Sequence, residues 1–224
     1  MVELASPFIA IEDAGPELKT LVERQPPSLL QQLLTDPKAI AERMLDPALA
    51  PKTMAHTVGL LLVSTTLTGA FLASLSRVEI WRAAGLLPVA LVLAVAAAMG
   101  PVAATAVMAG ARLPWQLLAA ALTTAMTAGA LTLAALAPIA VVAMSLNREW
   151  LGPLAVVGSF AIAGIVSGRR IHAVLVALAQ SVNTRAGGVK LDDEALDRVR
   201  LVGRVAFVQL AFTTSLAIWS LKVL

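Results

Sequence analysis

SGRRIHAVLVALAQ, Ser167 to Gln180, sets two adjacent arginines, Arg169 and Arg170, inside a stretch that is apolar on both sides. Whether the chain leaves a membrane there, or carries two charges through one, decides where the fourth span ends. A helix starting at Leu151 reaches about 27 Å by Gly168 at 1.5 Å per residue, close to the thickness of a hydrocarbon core. That geometry favours exit, with Arg169 and Arg170 among headgroups. The ten residues after them, IHAVLVALAQ, are too few to span. They are expected to continue the helix against a partner or to lie along the interface. The competing reading joins 151–180 into one tilted crossing with both arginines buried, at a cost of about 2.5 kcal/mol or more each.

Outward from that stretch the composition agrees. Of 224 residues 58% are hydrophobic and only 14% are charged, and the mean hydropathy is +0.84. A water-soluble domain needs a far more polar surface. Apolar runs of spanning length recur at 55–76, 83–110, 115–144, 151–168 and 201–221, each near the roughly 20 residues a crossing helix needs. Backbone groups in hydrocarbon must be satisfied within their own segment, so these runs are expected to be helices. The fold class expected is all-α: a polytopic bundle of five spans with short cytoplasmic N-terminal helices. Residues 1–52 form a cytoplasmic or interfacial arm and residues 53–224 the transmembrane domain, with a cytoplasmic extension and loop over 169–200. The opening residues show neither a basic leader nor an apolar core with a cleavage site, so the mature chain is expected to start at Met1.

Orientation follows from Lys and Arg near the span ends. With the N-terminus inside, 13 of the 17 basic residues fall on the inner side and four (Arg77, Arg82, Arg148 and Lys222) fall outside. The inner group includes Arg169, Arg170, Arg185, Lys190, Arg198, Arg200 and Arg204, which are read as headgroup and topology markers. The expected location is a bacterial cytoplasmic (inner) membrane, N-terminus in the cytoplasm and C-terminus outside. The pI of about 9.8 is explained by this topology, and no nucleic-acid partner is expected.

The arm carries most of the acidic residues. Asp36-Pro37 offers an N-cap followed by proline at the first helical position, which predicts helices over 28–35 and 37–45. Asp192, Asp193 and Glu194 open a last helix that begins near Asp193 and runs about 45 Å to the C-terminus, with Arg198, Arg200 and Arg204 following in its early turns. Glu194 and Arg198 are spaced for an i,i+4 pair.

Within the spans no Asp, Glu, Lys or His lies at mid-depth, which disfavours proton relays and ion-coupled carriers. Threonines such as Thr123 and Thr127 are read as helix packing rather than as a solute path, because hydroxyls bond back to their own helix or to a neighbour. Gly164 and Gly168 form a GxxxG that predicts close helix approach. Pro88, Pro101 and Pro138 predict kinks. Trp81, Trp115, Trp150 and Trp219 flank span boundaries as interfacial anchors. With no Cys, two His, no GxSxG and no GxxxxGK, no catalytic residue, metal site or cofactor is expected, bound lipid aside.

LLTDPKAIAERMLDP, followed by a five-span bundle centred on GARLPWQLLAAALTTAMTAGALTLAALAPIAVVAMSLN, resembles the broad Yip-like group of bacterial membrane proteins. The closing FVQLAFTTSLAIW is similar to the last span of bacterial relatives. The resemblance covers residues 35–222 and implies a five-span integral membrane protein with no established chemistry. Eukaryotic Yip members resemble trafficking adaptors for small GTPases, but no residue here matches a GTPase-contact motif. The function expected is a non-enzymatic scaffold or accessory subunit that packs in or anchors a larger membrane assembly, its partners being the lipid bilayer and another protein or a second copy. The alternatives are a permease or channel for a small neutral or amphipathic solute, or an accessory subunit that holds lipid, quinone or pigment.

Overall fold

The computed structural model describes residues 28–74, 80–111, 113–146, 150–188 and 191–223. Among them there are helices and no strands: α1 Leu29–Thr35, α2 Pro37–Leu45, α3 Ala50–Ala73, α4 Ile80–Met108, α5 Trp115–Ser145, α6 Leu151–Arg185 and α7 Asp193–Val223. Five of these, α3 to α7, are long and apolar enough to cross a membrane. The protein is an all-α polytopic bundle.

Local signals place the ends. Ser28 caps α1 by accepting from the Gln31 amide at 3.2 Å. Asp36 closes α1 and opens α2: its amide donates to Gln32 O at 3.0 Å, and its Oδ1 accepts from the Lys38 and Ala39 amides at 3.0 and 3.1 Å. Pro37 supplies the preset first turn. Asp192 Oδ1 accepts from the Ala195 amide at 2.7 Å and starts α7, where the expected helix begins. Two glycines stop helices by turning left-handed, Gly110 at φ 69° after α4 and Gly187 at φ 83° after α6. In both, the following amide reaches back five residues, Ala111 to Ala106 O and Gly188 to Asn183 O, each at 2.9 Å. This Schellman closure satisfies carbonyls that a helix end leaves open.

The helices form a ring in which α3 lies against α4 and α5, α5 against α6, α6 against α7, and α7 against α4. Small residues set the closest approaches. A Cβ on Gly129 of α5 would lie 3.1 Å from both Ala163 O and Ser167 Cβ on α6. A Cβ on Gly168 would lie 2.6 Å from the Phe207 ring of α7. Nothing lies within 4 Å of the same position on Gly164, so of the GxxxG pair only Gly168 sits at a tight helix crossing. Helices α4 and α5 run without interruption through Pro88, Pro101 and Pro138.

Outward-facing side chains divide the bundle along its length. Exposed residues on α6 are apolar through Leu154, Val157, Ile162 and Ile165, and the series ends at exposed Arg169. On α7 the exposed apolar side chains Val208, Phe212 and Leu216 stand beyond exposed Arg204. On α3 they begin at Val58, just past exposed Lys52 and His56. The three helices change character at one level, because Gly168 meets Phe207 and Thr57 meets Thr127 beside the Gly129 contact. Beyond this level Val107 and Met108 of α4 and Leu201 of α7 are also exposed, so the level marks where exposed charges begin on these three helices.

The bundle does not end there. Helix α6 runs on without a break to Arg185, about 24 Å further along its axis, and carries the second half of the largest core. Ile171, Val174, Leu175 and Leu178 are buried with Ile40 and Met44 of α2, Val102 and Ala106 of α4, Leu118 and Leu122 of α5, and Val199 and Val202 of α7. The segment 171–180 therefore does continue the helix, as expected. Its apolar face is covered by the chain's own helices, not by a partner or by lipid.

Candidate functional site

The end built by these extensions is a folded cap, and the N-terminal helices are clamped onto it. Helix α2 turns Ile40, Ala41 and Met44 into the core, all buried, and leaves Lys38 and Glu42 outside, a division set by helical spacing of its apolar residues. Helix α1 buries Gln32 and Leu33, while Leu30 and Leu34 remain 42% and 45% exposed. It lies beside Arg170, at the level where the exposed surface changes from apolar to charged, so its outward leucines suit the membrane interface.

Two arginines of α6 hold this arm by main-chain oxygens. Arg170 is 7% exposed and its NH2 donates to Gln32 O at 2.6 Å. Arg185 NH1 donates to Leu45 O, the last carbonyl of α2, at 2.7 Å. The second contact sets a cation on a helix C-terminus, where open carbonyls and the macrodipole favour it. The first takes a guanidinium out of water for a single charge-assisted bond, and its Nε has no hydrogen-bond partner. The twin arginines thus separate: Arg169 faces outward, and Arg170 turns inward against the arm.

The remaining residues singled out from the sequence fall in three groups. Arg198 pairs with Glu194 one turn earlier and Arg200 with Asp197 at 2.9 Å, both on the exposed face of α7, where such pairs contribute little to stability. Arg204 is exposed, and Lys190 lies outside the described residues. Thr123 Oγ1 donates to Ala119 O at 2.8 Å. Thr127 Oγ1 donates to Thr123 O at 2.8 Å and also reaches Thr57 O on α3 at 3.2 Å. Across the α3–α5 seam, Thr57, Thr65, Thr68 and Thr124 each donate back to their own helix. These hydroxyls are buried and turned to carbonyls, which is helix glue. Trp115 and Trp150 are 65% and 61% exposed; the side chains of Trp81 and Trp219 lie outside those described. Trp150 stands at the far end of the lipid-facing surface. Trp115 stands at the start of α5, near the tip of the cap, below the level of Arg169.

What sequence reading missed is the groove between α2 and the end of α6. It is open, about 910 Å³, and lined by Lys38, Glu42, Arg43, Asp46, Thr184 and Arg185 among others. The signal was the polar face of α2 together with the polar end of α6, visible only once the two helices are known to lie side by side. Among the described residues no cluster of His, Asp or Glu is arranged to hold a metal ion. Compared with family models, with the sequences of curated proteins and with solved structures, the chain matches none.

Proposed function

We propose that the protein is a non-enzymatic scaffold or accessory subunit of a membrane assembly, anchored by its five spans and presenting the cap to another component. The observation that carries this reading is the division of labour along the bundle. The polar groups of the spans are consumed in helix packing. Among the described side chains the charged surface gathers at one end, on a cap packed by its own core and by Arg170 and Arg185. The mixed-charge groove between α2 and α6 suits a partner segment carrying both signs of charge. In this reading the basic end is cytoplasmic, by the excess of Lys and Arg there, and the membrane is a bacterial inner membrane. The Yip-like resemblance belongs to the same proposal and rests on the five-span architecture.

The test is native extraction into lipid nanodiscs followed by identification of what co-purifies, for the wild type and for Lys38→Glu/Arg43→Glu, which reverses two groove charges without touching the core. A stoichiometric companion lost in the variant supports the reading. Recovery of the chain alone from its native membrane, with every candidate complex unchanged when the gene is deleted, refutes it.

A further inference from the structure

A second cavity lies on the opposite side of the α6 tip, and nothing in the scaffold reading uses it. It measures about 300 Å³ and lies between the α4–α5 turn, the last turns of α6 and the first turns of α7. Leu113, Ala179, Val182, Leu191 and Val199 give it apolar walls, and Asn183 and Arg198 are its polar lining residues. That is the make-up of a small-molecule site: concave and mostly apolar with a few polar groups, at the low end of the usual size range.

Among the described lining residues the charged one is Arg198. Arg198 uses NH2 on Glu194, an exposed pair that a competing carboxylate can share at little cost. Its NH1 makes no hydrogen bond to another described residue and points at the α4–α5 turn, where a Cβ on Gly110 would come within 3.2 Å of it. Gly110 leaves that space open while also supplying the left-handed turn that ends α4. Glu194 is not among the lining residues, and no described lining residue is acidic.

We infer that this pocket binds a small amphipathic carboxylate, its acid group on Arg198 NH1 and Asn183 and its apolar body against Leu113, Val182 and Val199. A ligand on the order of ten non-hydrogen atoms fills it. A soluble acid is the source, not a membrane fatty acid. Ala179 to Ala186 follow Arg169 by 10 to 17 residues along α6, about 15 to 25 Å beyond the level of the headgroups.

The experiment uses the full chain in lipid nanodiscs, titrated with hexanoate, with phenylacetate and with neutral hexanol, and read by saturation-transfer NMR and calorimetry. Empty nanodiscs serve as the partition control. Expected are saturable binding of the acids to the wild type, binding at least about tenfold weaker in Arg198→Met, and no effect of that change on hexanol. Ala195→Leu, or Val182→Phe if the first variant lowers thermal stability, fills the pocket and abolishes binding of all three. Acid signals equal to those of empty nanodiscs overturn the inference. So does hexanoate binding that is unchanged in Arg198→Met or in a folded pocket-filling variant. Because none of these residues lines the α2–α6 groove, failure here leaves the scaffold reading standing, and failure of co-purification leaves this one.

Discussion

Gly168→Ala and Gly164→Ala, identical changes four residues apart on one helix, are expected to move stability in opposite directions. The new methyl at 168 lies 2.6 Å from two ring carbons of Phe207, whereas at 164 it meets nothing within 4 Å. Both variants gain helix propensity, about 0.8–1 kcal/mol as measured for soluble helices. Only Gly168→Ala meets overpacking, typically about 1–3 kcal/mol. Phe207 is 38% exposed and can swing partly toward lipid, which places the cost in the lower half of that range. The net expectation is a loss of up to about 1 kcal/mol for Gly168→Ala and a gain of similar size for Gly164→Ala. Steric trapping with tags on α6 and α7, in bicelles, measures both. Adding Phe207→Leu to Gly168→Ala closes a double-mutant cycle and is expected to recover most of the loss. Equal effects at the two glycines, or no coupling between 168 and 207, would refute the packing argument.

Other outcomes follow from the clamp and the seam. Arg170→Met removes a charge-assisted bond of about 1.5–3 kcal/mol and relieves a desolvated guanidinium whose unmet Nε costs about 1–3 kcal/mol. Gln32 O keeps its bond from the Asp36 amide, so amide exchange in α1 and α2 is expected to change less than about tenfold. A hundredfold loss of protection would show that the bond outweighs the burial. Arg170→Glu sets a carboxylate against the same carbonyl and is expected to release the arm, with α2 amides exchanging at nearly unfolded rates. Asp36→Ala removes the cap of α2 and is expected to cost about 0.5–2 kcal/mol, with Asp36→Asn close to wild type; thermal unfolding in detergent compares the three. Thr127→Val loses the cross-helix bond to Thr57 O and is expected to cost about 0.6 kcal/mol, at most about 1.7. Thr123→Val loses only a bond within its own helix and costs less, and in vesicle assays neither change alters solute flux.

How much of this could be read in advance varies with the range of the interaction. Span number, helix class, the cap at Asp36 and the start of the last helix near Asp193 depend on neighbours within a few residues and on hydropathy, so they were legible. The end of the exposed apolar series of α6 at Arg169 was legible too, because a charge after an apolar run is a one-dimensional signal. The fate of Arg170 was not. Two identical side chains in succession point about 100° apart on a helix, and which one turns inward depends on where an arm some 138 residues away comes to rest. The same holds for the glycines: a GxxxG declares that close approach is permitted, but only Phe207 on another helix shows where it happens. The α2–α6 groove and the pocket at Arg198 are products of helices meeting. No spacing within any one helix announces them.

Helix α6 is a single rod of 35 residues, about 52 Å long, with its lower half welded into the cap and its upper half sparsely covered by protein. Such a rod acts as a lever whose fulcrum is the membrane boundary. A change in bilayer thickness that tilts a spanning helix by 5° swings the tip, about 24 Å beyond that fulcrum, by about 2 Å. The arm is fastened to that same rod at two points, so it must travel with the tip instead of averaging the motion out. Spin labels at Ile165 and Thr184, followed across lipids of increasing chain length, would register the swing directly.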